Sequence, residues 1–281
     1  MDLELSGKRA IVTGGSRGIG LAVARALAPE GCDVALVARD AAALAAAREA
    51  VAAVADVGAA SAGAARAAAR SGPRVIAVSC DTGDDDAVRA MAATVADGLG
   101  GADILVNAAA RPNTGAVVGI DGFDPAEFAE QVNVKVLGYL RCIKAVVPLM
   151  RENRWGRIIN VSGLAARSTG AITGTVRNVA VAALTKNLAD ELGRDGINVT
   201  VVHPGFTLTE KTPEILAGRA ARAGVSVAEV ERQIGESVSI GRIVTADEVA
   251  SVVAFLASPR SVAINGDAIS VGGGAVGPIH Y

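Results

Sequence analysis

The chain has 281 residues, a formal net charge of −2 and a composition that is 51% hydrophobic but only 2% aromatic. The near-neutral charge excludes the basic field that nucleic-acid binding needs, and no run of about 18 apolar residues indicates a membrane span. An aliphatic, glycine-rich composition favours helices packed on a parallel sheet, and this length suits one large domain.

The N-terminal segment carries no basic stretch followed by an apolar run and a small-residue cleavage site, so we expect a cytoplasmic protein. The three cysteines, Cys32, Cys80 and Cys142, lie in or beside apolar runs without ligand-like spacing. We interpret them as small core residues and predict neither a disulfide nor a metal site.

A glycine-rich turn follows the first apolar run, which extends from Ala10 to Thr13, and a helical pattern from Ile19 to Leu27 follows the turn. This order predicts a strand, a turn and a helix. Glycines permit close backbone approach, and the free amides of a helix N-terminus can hold a pyrophosphate. The predicted cofactor-binding residues of the turn are Gly14, Ser16, Arg17, Gly18, Ile19 and Gly20.

The second strand, Asp33 to Ala38, bears on which dinucleotide is bound. NAD sites place an acidic side chain at the end of this strand, whereas this chain has Ala38 followed by Arg39. Arg39 and Arg17 could pair with a 2′-phosphate, so we favour NADP(H) over NAD(H). Asp40 leaves an alternative open, because it could bind the ribose or cap the next helix.

The stretch from Asp40 to Pro73 is dominated by alanine and predicts one long helix with a helical or flexible extension, to which we assign no chemistry. The third strand, Arg74 to Ser79, leads to Asp81 and Thr82, two further candidate cofactor residues. Asp81 could accept a hydrogen bond from an adenine amino group, or it could cap the following helix.

Small residues follow the fourth strand, Asp103 to Val106. They make room for a flat ligand at the carboxyl end of a central strand, and Asn107 can bridge backbone groups there. Asn107 and Ala109 are therefore candidate cofactor residues.

A helix is predicted from Asp124, with a proline at its first position and Glu127 placed for a capping box. We expect it to run through Asn133 to about Met150. An asparagine in the middle of a helix favours a polar role, and we expect Asn133 to face the cofactor.

Strands are predicted at residues 158–161, 197–202 and 268–271, with a helix at 173–192 between the first two. Residues 210–240 are polar and irregular, as a substrate lid would be, and 245–248 predict a second capping box. Residues 275–281 form a tail. No linker divides residues 1–281, so the alternation predicts a single doubly wound parallel sheet in one α/β domain. After the sixth strand, the candidate cofactor residues are Pro204, Gly205, Thr207 and Thr209.

Together these segments resemble the short-chain dehydrogenase/reductase family over essentially the whole chain. The resemblance is carried by Thr13–Gly20 (TGxxxGxG), Asp81, Asn107 in a variant NNAG motif, Asn133, GRIINVSG, Pro204-Gly205 with Thr209, and residues 241–256. It implies a Rossmann-type domain with about seven parallel strands, helices on both faces and hydride transfer between a nicotinamide and a small carbonyl or alcohol. It also implies a homodimer or homotetramer formed through residues 133–150 and 174–192.

The resemblance fails at the reactive side chains. In this family a tyrosine acts as proton donor or acceptor, a lysine one helical turn later supports it, and a serine and an asparagine assist. Here the tyrosine and lysine positions fall on Gly174 and Asn178, and the serine position on Gly163, beside Ser162. Asn133 and Ser162 are the remaining catalytic candidates, and Asn178 is retained as a cofactor contact.

Three functions stay open. The first is an atypical NADP(H)-dependent oxidoreductase. Its proton comes from Ser162, a water, the substrate or the tail, with His280 or Tyr281 entering the active site of a neighbouring subunit. The second is a non-redox dehydratase, isomerase or cyclase. The third is an inactive cofactor-binding or partner subunit. We favour the first because the cofactor motifs are intact.

Overall fold

Seven parallel strands form the central sheet of this computed structural model, which describes residues 1–61, 72–111 and 119–276. A further pair of short strands, β7 (Thr207–Leu208) and β8 (Val244–Thr245), lies outside this sheet. The predicted doubly wound α/β architecture is confirmed. From one edge to the other, the seven strands are β3 (Val75–Ser79), β2 (Asp33–Ala38), β1 (Arg9–Thr13), β4 (Ile104–Asn107), β5 (Gly156–Val161), β6 (Ile197–Pro204) and β9 (Ala268–Val271).

Helices cover both faces of the sheet. Residues of α1, α2 and α9 form one apolar layer, and residues of α3, α5 and α6 form the other. None of the helices in the described ranges is long and apolar enough to cross a membrane. The α-helices are α1 (Gly18–Leu27), α2 (Ala41–Ser61), α3 (Asp85–Leu99), α4 (Pro125–Val132), α5 (Gly138–Glu152), α6 (Ile172–Leu192), α7 (Thr212–Ala223), α8 (Val227–Glu236) and α9 (Ala246–Ala257).

Strand β1 shows why the sequence folds in this way. Ala10 and Val12 pack into one layer and Ile11 into the other, because successive side chains of a strand point to opposite faces. A strand covered on both faces needs aliphatic residues at every position, which explains its continuous apolar run. The three cysteines are buried and free of disulfides, so the predicted core role is confirmed.

The predicted single helix from Asp124 to about Met150 is wrong at one point. A π-helical turn, Asn133–Leu137, separates α4 from α5, with the Gly138 amide donating to the Asn133 carbonyl. The apolar pattern does not reveal this turn, because a π turn inserts a residue without changing the side-chain composition. Such turns occur frequently at functional sites.

The caps of two helices test the predicted capping boxes. Asp124 caps α4 by accepting from the Ala126 amide at 2.9 Å, but Glu127 accepts from the Gln131 side chain and closes no box. At α9 the box is complete, because the Glu248 amide donates to Thr245 Oγ1 and the Thr245 amide to Glu248 Oε2.

The region predicted as irregular, 210–240, contains α7 and α8. Leu216, Ala220 and Val230 form a small buried cluster with Phe206 and Ile234 packed against it. Because these apolar residues recur one turn apart, each short helix buries its apolar side against the other. The extension at 62–71 and the residues His280 and Tyr281 lie outside the described residues.

Candidate active site

A cleft of about 780 Å³ opens at the carboxyl ends of β1 and β4. Strands β2 and β3 lie on one side of β1, and β4 lies on the other. The connections that follow β1 and β4 therefore run to opposite sides and leave a crevice between them. Predicted residues outside its lining are Asn107, Asn133, Asn178, Pro204, Gly205 and Thr207. Predicted residues that line it are Gly14, Ser16, Arg17, Gly18, Ile19, Gly20, Arg39, Asp81, Thr82, Ala109, Ser162 and Thr209.

The turn after β1 leaves no room for side chains at two of its glycines. A Cβ on Gly20 would collide with the carbonyl oxygen of Gly14. Gly14 has a φ of +68°, and a Cβ there would lie 2.8 Å from the carbonyl oxygen of Ala108. The turn therefore packs tightly against α1 and against the end of β4. Because no side chains project from these glycines, a ligand can approach the backbone on the outer side of the turn.

The N-terminus of α1 binds an anion from this chain. The Gly18 amide donates to both carboxylate oxygens of Glu210, at 3.0 and 3.2 Å. An amide at a helix N-terminus prefers a negatively charged partner, and the phosphates of a dinucleotide are such partners. The carboxylate thus demonstrates that this position fits an anionic group, which supports a dinucleotide in the cleft.

Two arginines and one aspartate surround the mouth of the cleft beyond β2. Arg17 and Arg39 are exposed, line the cleft and pair with no carboxylate among the described residues. Asp40 instead caps α2, because its Oδ1 accepts from the Ala43 amide at 3.0 Å. Of the two alternatives for Asp40, the helix cap is the one observed.

Asp81 keeps its place in the cleft. Its Oδ1 accepts from the Gly83 amide at 2.9 Å, and α3 is capped by Asp84, which accepts from the Ala87 amide. The alternative that Asp81 caps this helix is therefore wrong. Asn133 lies beside the same loop, with its amide nitrogen against Gly83 and not on the cleft wall, so the expected orientation toward the cofactor is not observed.

Asn107 is buried behind the cleft. Its amide nitrogen donates to Asn160 Oδ1 at 3.0 Å, and its own Oδ1 has no partner among the described residues. The backbone bridging predicted for Asn107 is performed by Thr13, whose Oγ1 accepts from the amides of Ala108 and Ala109 at 3.1 and 3.2 Å. A side chain of β1 reaches these amides because β1 is directly paired with β4.

The inner wall of the cleft carries Lys135 and Ser162. Lys135 comes from the π turn, is 4% exposed, and its Nζ donates to the Ser162 carbonyl at 2.8 Å. Burial, reinforced by the positive charge of Arg177, lowers the pKa of Lys135 to about 7. The Ser162 hydroxyl donates to the carbonyl of Asn178 at 3.1 Å, so its proton is held by α6.

Gly163 and Asn178 fit against each other. A Cβ on Gly163 would lie 2.9 Å from the Asn178 amide nitrogen, and Asn178 Oδ1 is buried without a partner among the described residues. Gly174 has ordinary space, since a Cβ there would lie 3.5 Å from the Ala171 Cβ. The Asn178 side chain, rather than the backbone of α6, fills the space beside Gly163.

Three other polar side chains lie behind this wall. Arg177 is buried and bonds to the Gln131 side chain. His203 Nδ1 accepts from the Gly163 amide at 3.4 Å, and burial lowers its pKa to about 4. The Tyr139 hydroxyl donates to the Val161 carbonyl at 2.8 Å, and burial raises its pKa.

The comparisons with known proteins agree with this geometry. A family model described as enoyl-(acyl carrier protein) reductase matches residues 37–276. The short-chain reductase protein NovJ of Streptomyces niveus is 34% identical over 268 residues, which cover 94% of this chain and 92% of that protein. The chain belongs to the short-chain dehydrogenase/reductase family.

Solved structures of similar chains extend the likeness to the whole fold. The L-sorbose reductase from Gluconobacter frateurii, complexed with NADPH and L-sorbose, has a TM-score of 0.86 at 28% identity, covering 99% of this chain and all of that one. An NAD⁺-bound xylitol dehydrogenase has a TM-score of 0.83 at 25% identity and covers 96% of this chain and 100% of its own. Both are structures with a bound nicotinamide dinucleotide.

Sequence reasoning missed two side chains of this short-chain dehydrogenase/reductase cleft. Lys135 could have been noticed, because it interrupts an otherwise apolar run from Val134 to Leu137, two residues after Asn133. The sequence offers no indication of a role for Glu210, since an acidic residue in a polar loop is usually a solvated surface charge.

Proposed function

We propose that the chain is an NADP(H)-dependent oxidoreductase that acts on a small carbonyl or alcohol substrate through an atypical active site. The observation that carries this proposal is the continuity of one cleft, from the anion-binding amide of Gly18 to the buried amine of Lys135. A dinucleotide bound at the first end would present its reactive ring toward the second.

The preference for NADP(H) is supported by the charges around the mouth of the cleft. Arg17 and Arg39 are available to a 2′-phosphate, whereas the carboxylate of Asp40 is used by the N-terminus of α2. Ala38 offers no acceptor for a ribose hydroxyl. Because similar proteins have been solved with NADPH and with NAD⁺, the family fold alone does not select the cofactor, and the proposal depends on the two arginines.

The proposed site is atypical because Gly174 and Asn178 stand where the family resemblance assigns a tyrosine and a lysine. A nicotinamide, when bound, would supply or accept the hydride. Gly18, Arg17 and Arg39 would hold the dinucleotide. A missing matched acid typically costs about 10²–10⁴ in rate, so carbonyl reduction here requires another proton source.

Titration with NADPH and NADH tests the cofactor assignment. We expect Arg39→Ala to weaken NADPH binding roughly 10-fold, because a charge-assisted hydrogen bond is lost, and to leave NADH binding nearly unchanged. Arg25→Ala, at an exposed position of α1 outside the cleft, is the matched control. Equal losses for both nucleotides would refute the assignment.

Stopped-flow measurement of NADPH absorbance tests the reaction class across a panel of ketones, imines and enones. Consumption of NADPH with at least one substrate is expected, and flat traces for the whole panel would contradict the proposal. Product formation without NADPH consumption would instead establish the non-redox alternative, a dehydratase, isomerase or cyclase.

A second candidate function is a cofactor-binding subunit without turnover. It is favoured by the engagement of the Ser162 and Tyr139 hydroxyls, which both donate to main-chain carbonyls. This candidate predicts NADPH binding with no product. Gly174→Tyr combined with Asn178→Lys distinguishes it further, because carbonyl reductase activity gained by this variant would show that only the proton donor was missing.

We further propose that the whole chain is one domain that acts in the cytoplasm as a homodimer or homotetramer, with 210–240 as its substrate lid and 275–281 as a tail. The lid is supported by the contact of Glu210 with Gly18, a residue of the cleft lining. The assembly is supported by Ile172, Val176 and Val179, which recur on one side of α6 and are each more than two-fifths exposed.

A further inference from the structure

The cleft contains one buried amine that the family's chemistry leaves without a role. Lys135 lies on the inner wall, and its ammonium group has a single hydrogen-bond partner among the described residues, the Ser162 carbonyl at 2.8 Å. An ammonium has three N–H donors, so two remain available. The π turn places this side chain inside the cleft from the helix facing α6, the helix that carries Gly174 and Asn178.

We propose that Lys135 exchanges the proton with the substrate in this active site and so replaces the absent tyrosine. The inference rests on the proposed oxidoreductase function. It assigns to Lys135, on the inner wall of the cleft, the role for which Gly174 and Asn178 have no suitable group.

The surroundings of Lys135 keep the pKa of its amine near neutral pH. No carboxylate within the described ranges forms an ion pair with Lys135. On α4, the carboxylates nearest to the cleft are Glu127 and Glu130, and both face Arg111, at 3.9 and 2.9 Å.

The other titratable groups around Lys135 do not neutralise it. Arg177 on α6 is positively charged and disfavours a second charge beside it. Tyr139 on α5 stays protonated because burial raises its pKa, and His203 at the end of β6 stays neutral at pH 7 because burial lowers its pKa to about 4. An amine with a pKa of about 7 is matched to proton transfer near neutral pH.

The step balances in both directions. In reduction, the carbonyl carbon of the substrate gains the hydride and its oxygen gains a proton from the Lys135 ammonium, so an N–H bond breaks and an O–H bond forms. The product is an alcohol, the nicotinamide would be oxidised by two electrons, and the neutral amine recovers one proton from the solvent. In oxidation, the neutral amine removes the hydroxyl proton and the alcohol carbon would give its hydride to the oxidised nicotinamide.

The protonation state of Lys135 can be measured without a substrate. The chain has five lysines, so protein labelled with ¹³C-lysine gives few Cε signals to follow by NMR during a pH titration. One signal is expected to titrate near pH 7 and to disappear in Lys135→Met. Lys144→Met, at an exposed position of α5, is the matched control and should remove an ordinary signal. If every lysine titrates above pH 9, the inference is wrong.

The pH profile of turnover tests the role itself. With a substrate found in the NADPH panel, Lys135→Met is expected to lower kcat about 10²-fold and to abolish an inflection near pH 7. Its NADPH affinity should stay within twofold of wild type, whereas Lys144→Met should keep both rate and profile. Lys135→Arg, which keeps a charge but does not titrate, should also lose the inflection and provides a second variant if the methionine variant folds poorly.

The outcomes separate the two proposals. Failure of the wild-type protein to bind NADPH would overturn the proposed function. Normal NADPH binding together with an unchanged rate and pH profile in both Lys135 variants would overturn the role of Lys135 alone.

Discussion

Replacing Glu210 with glutamine should strengthen dinucleotide binding. In the structure the Glu210 carboxylate accepts from the Gly18 amide at 3.0 and 3.2 Å, at the N-terminus of α1. A dinucleotide whose phosphates use the same amide must displace this carboxylate and must also tolerate its charge. Glu210→Gln keeps the size and the accepting oxygen but removes the charge.

The expected gain follows from the position of Glu210. An anion at an exposed helix N-terminus contributes roughly 0.3–1 kcal/mol, which corresponds to about a 2- to 5-fold change in affinity. Because Glu210 is exposed, salt screens the interaction. The gain should therefore be largest at low ionic strength and should shrink toward 1 M salt.

Isothermal titration with NADPH at several salt concentrations measures this effect. Glu214→Gln, at an exposed position of α7 that contacts neither Gly18 nor the cleft, makes the same change in net charge and serves as control. Tighter binding by Glu210→Gln alone, lost at high salt, is the predicted result. Equal gains in both variants, or weaker binding by Glu210→Gln, would refute the displacement of this carboxylate.

Three further predictions concern pH, packing and assembly. Burial lowers the pKa of His203 from 6.5 in the unfolded chain to about 4 in the folded protein. The contribution of the neutral side chain to stability is therefore fully present above pH 6.5 and is lost as the pH falls through 4. Urea denaturation should show a loss of roughly 3 kcal/mol across this window that His203→Gln lacks. Gly163→Ser should destabilise the fold by about 1–3 kcal/mol through contact with Asn178, and adding Asn178→Ala should restore most of it. If α6 forms the proposed subunit interface, Val176→Glu should reduce the molar mass measured by light scattering, whereas the similarly exposed control Val227→Glu should not. No change in either variant would contradict the proposed interface.

Much of the fold could be predicted because its signals are local. Strands β2 and β9 begin and end at the predicted residues, since an apolar strand between polar or glycine turns is defined by its own sequence. The turn after β1 was recognisable for the same reason: a helix start needs free amides, and close packing needs glycine. The parallel order of the sheet followed from the alternation of strands and helices.

Choices between neighbouring side chains required the folded backbone. Asp40 caps α2, while Asp81 leaves the cap of α3 to Asp84. A cap depends on whether the side-chain oxygen points along the helix axis, and a shift of a few residues changes that direction. Composition and spacing could name the candidates but could not separate them.

The burial and the pKa of Lys135 on the inner wall depend on contacts between segments that are distant in the chain. Lys135 is buried because a π turn directs it toward β5, and its lowered pKa arises from that burial and from Arg177, 42 residues later. The sequence has Gly174 and Asn178 at the positions where the family resemblance predicts a tyrosine and a lysine. The sequence does not show that Lys135 is a buried amine of the cleft, because desolvation belongs to the packed interior and to no single segment of sequence.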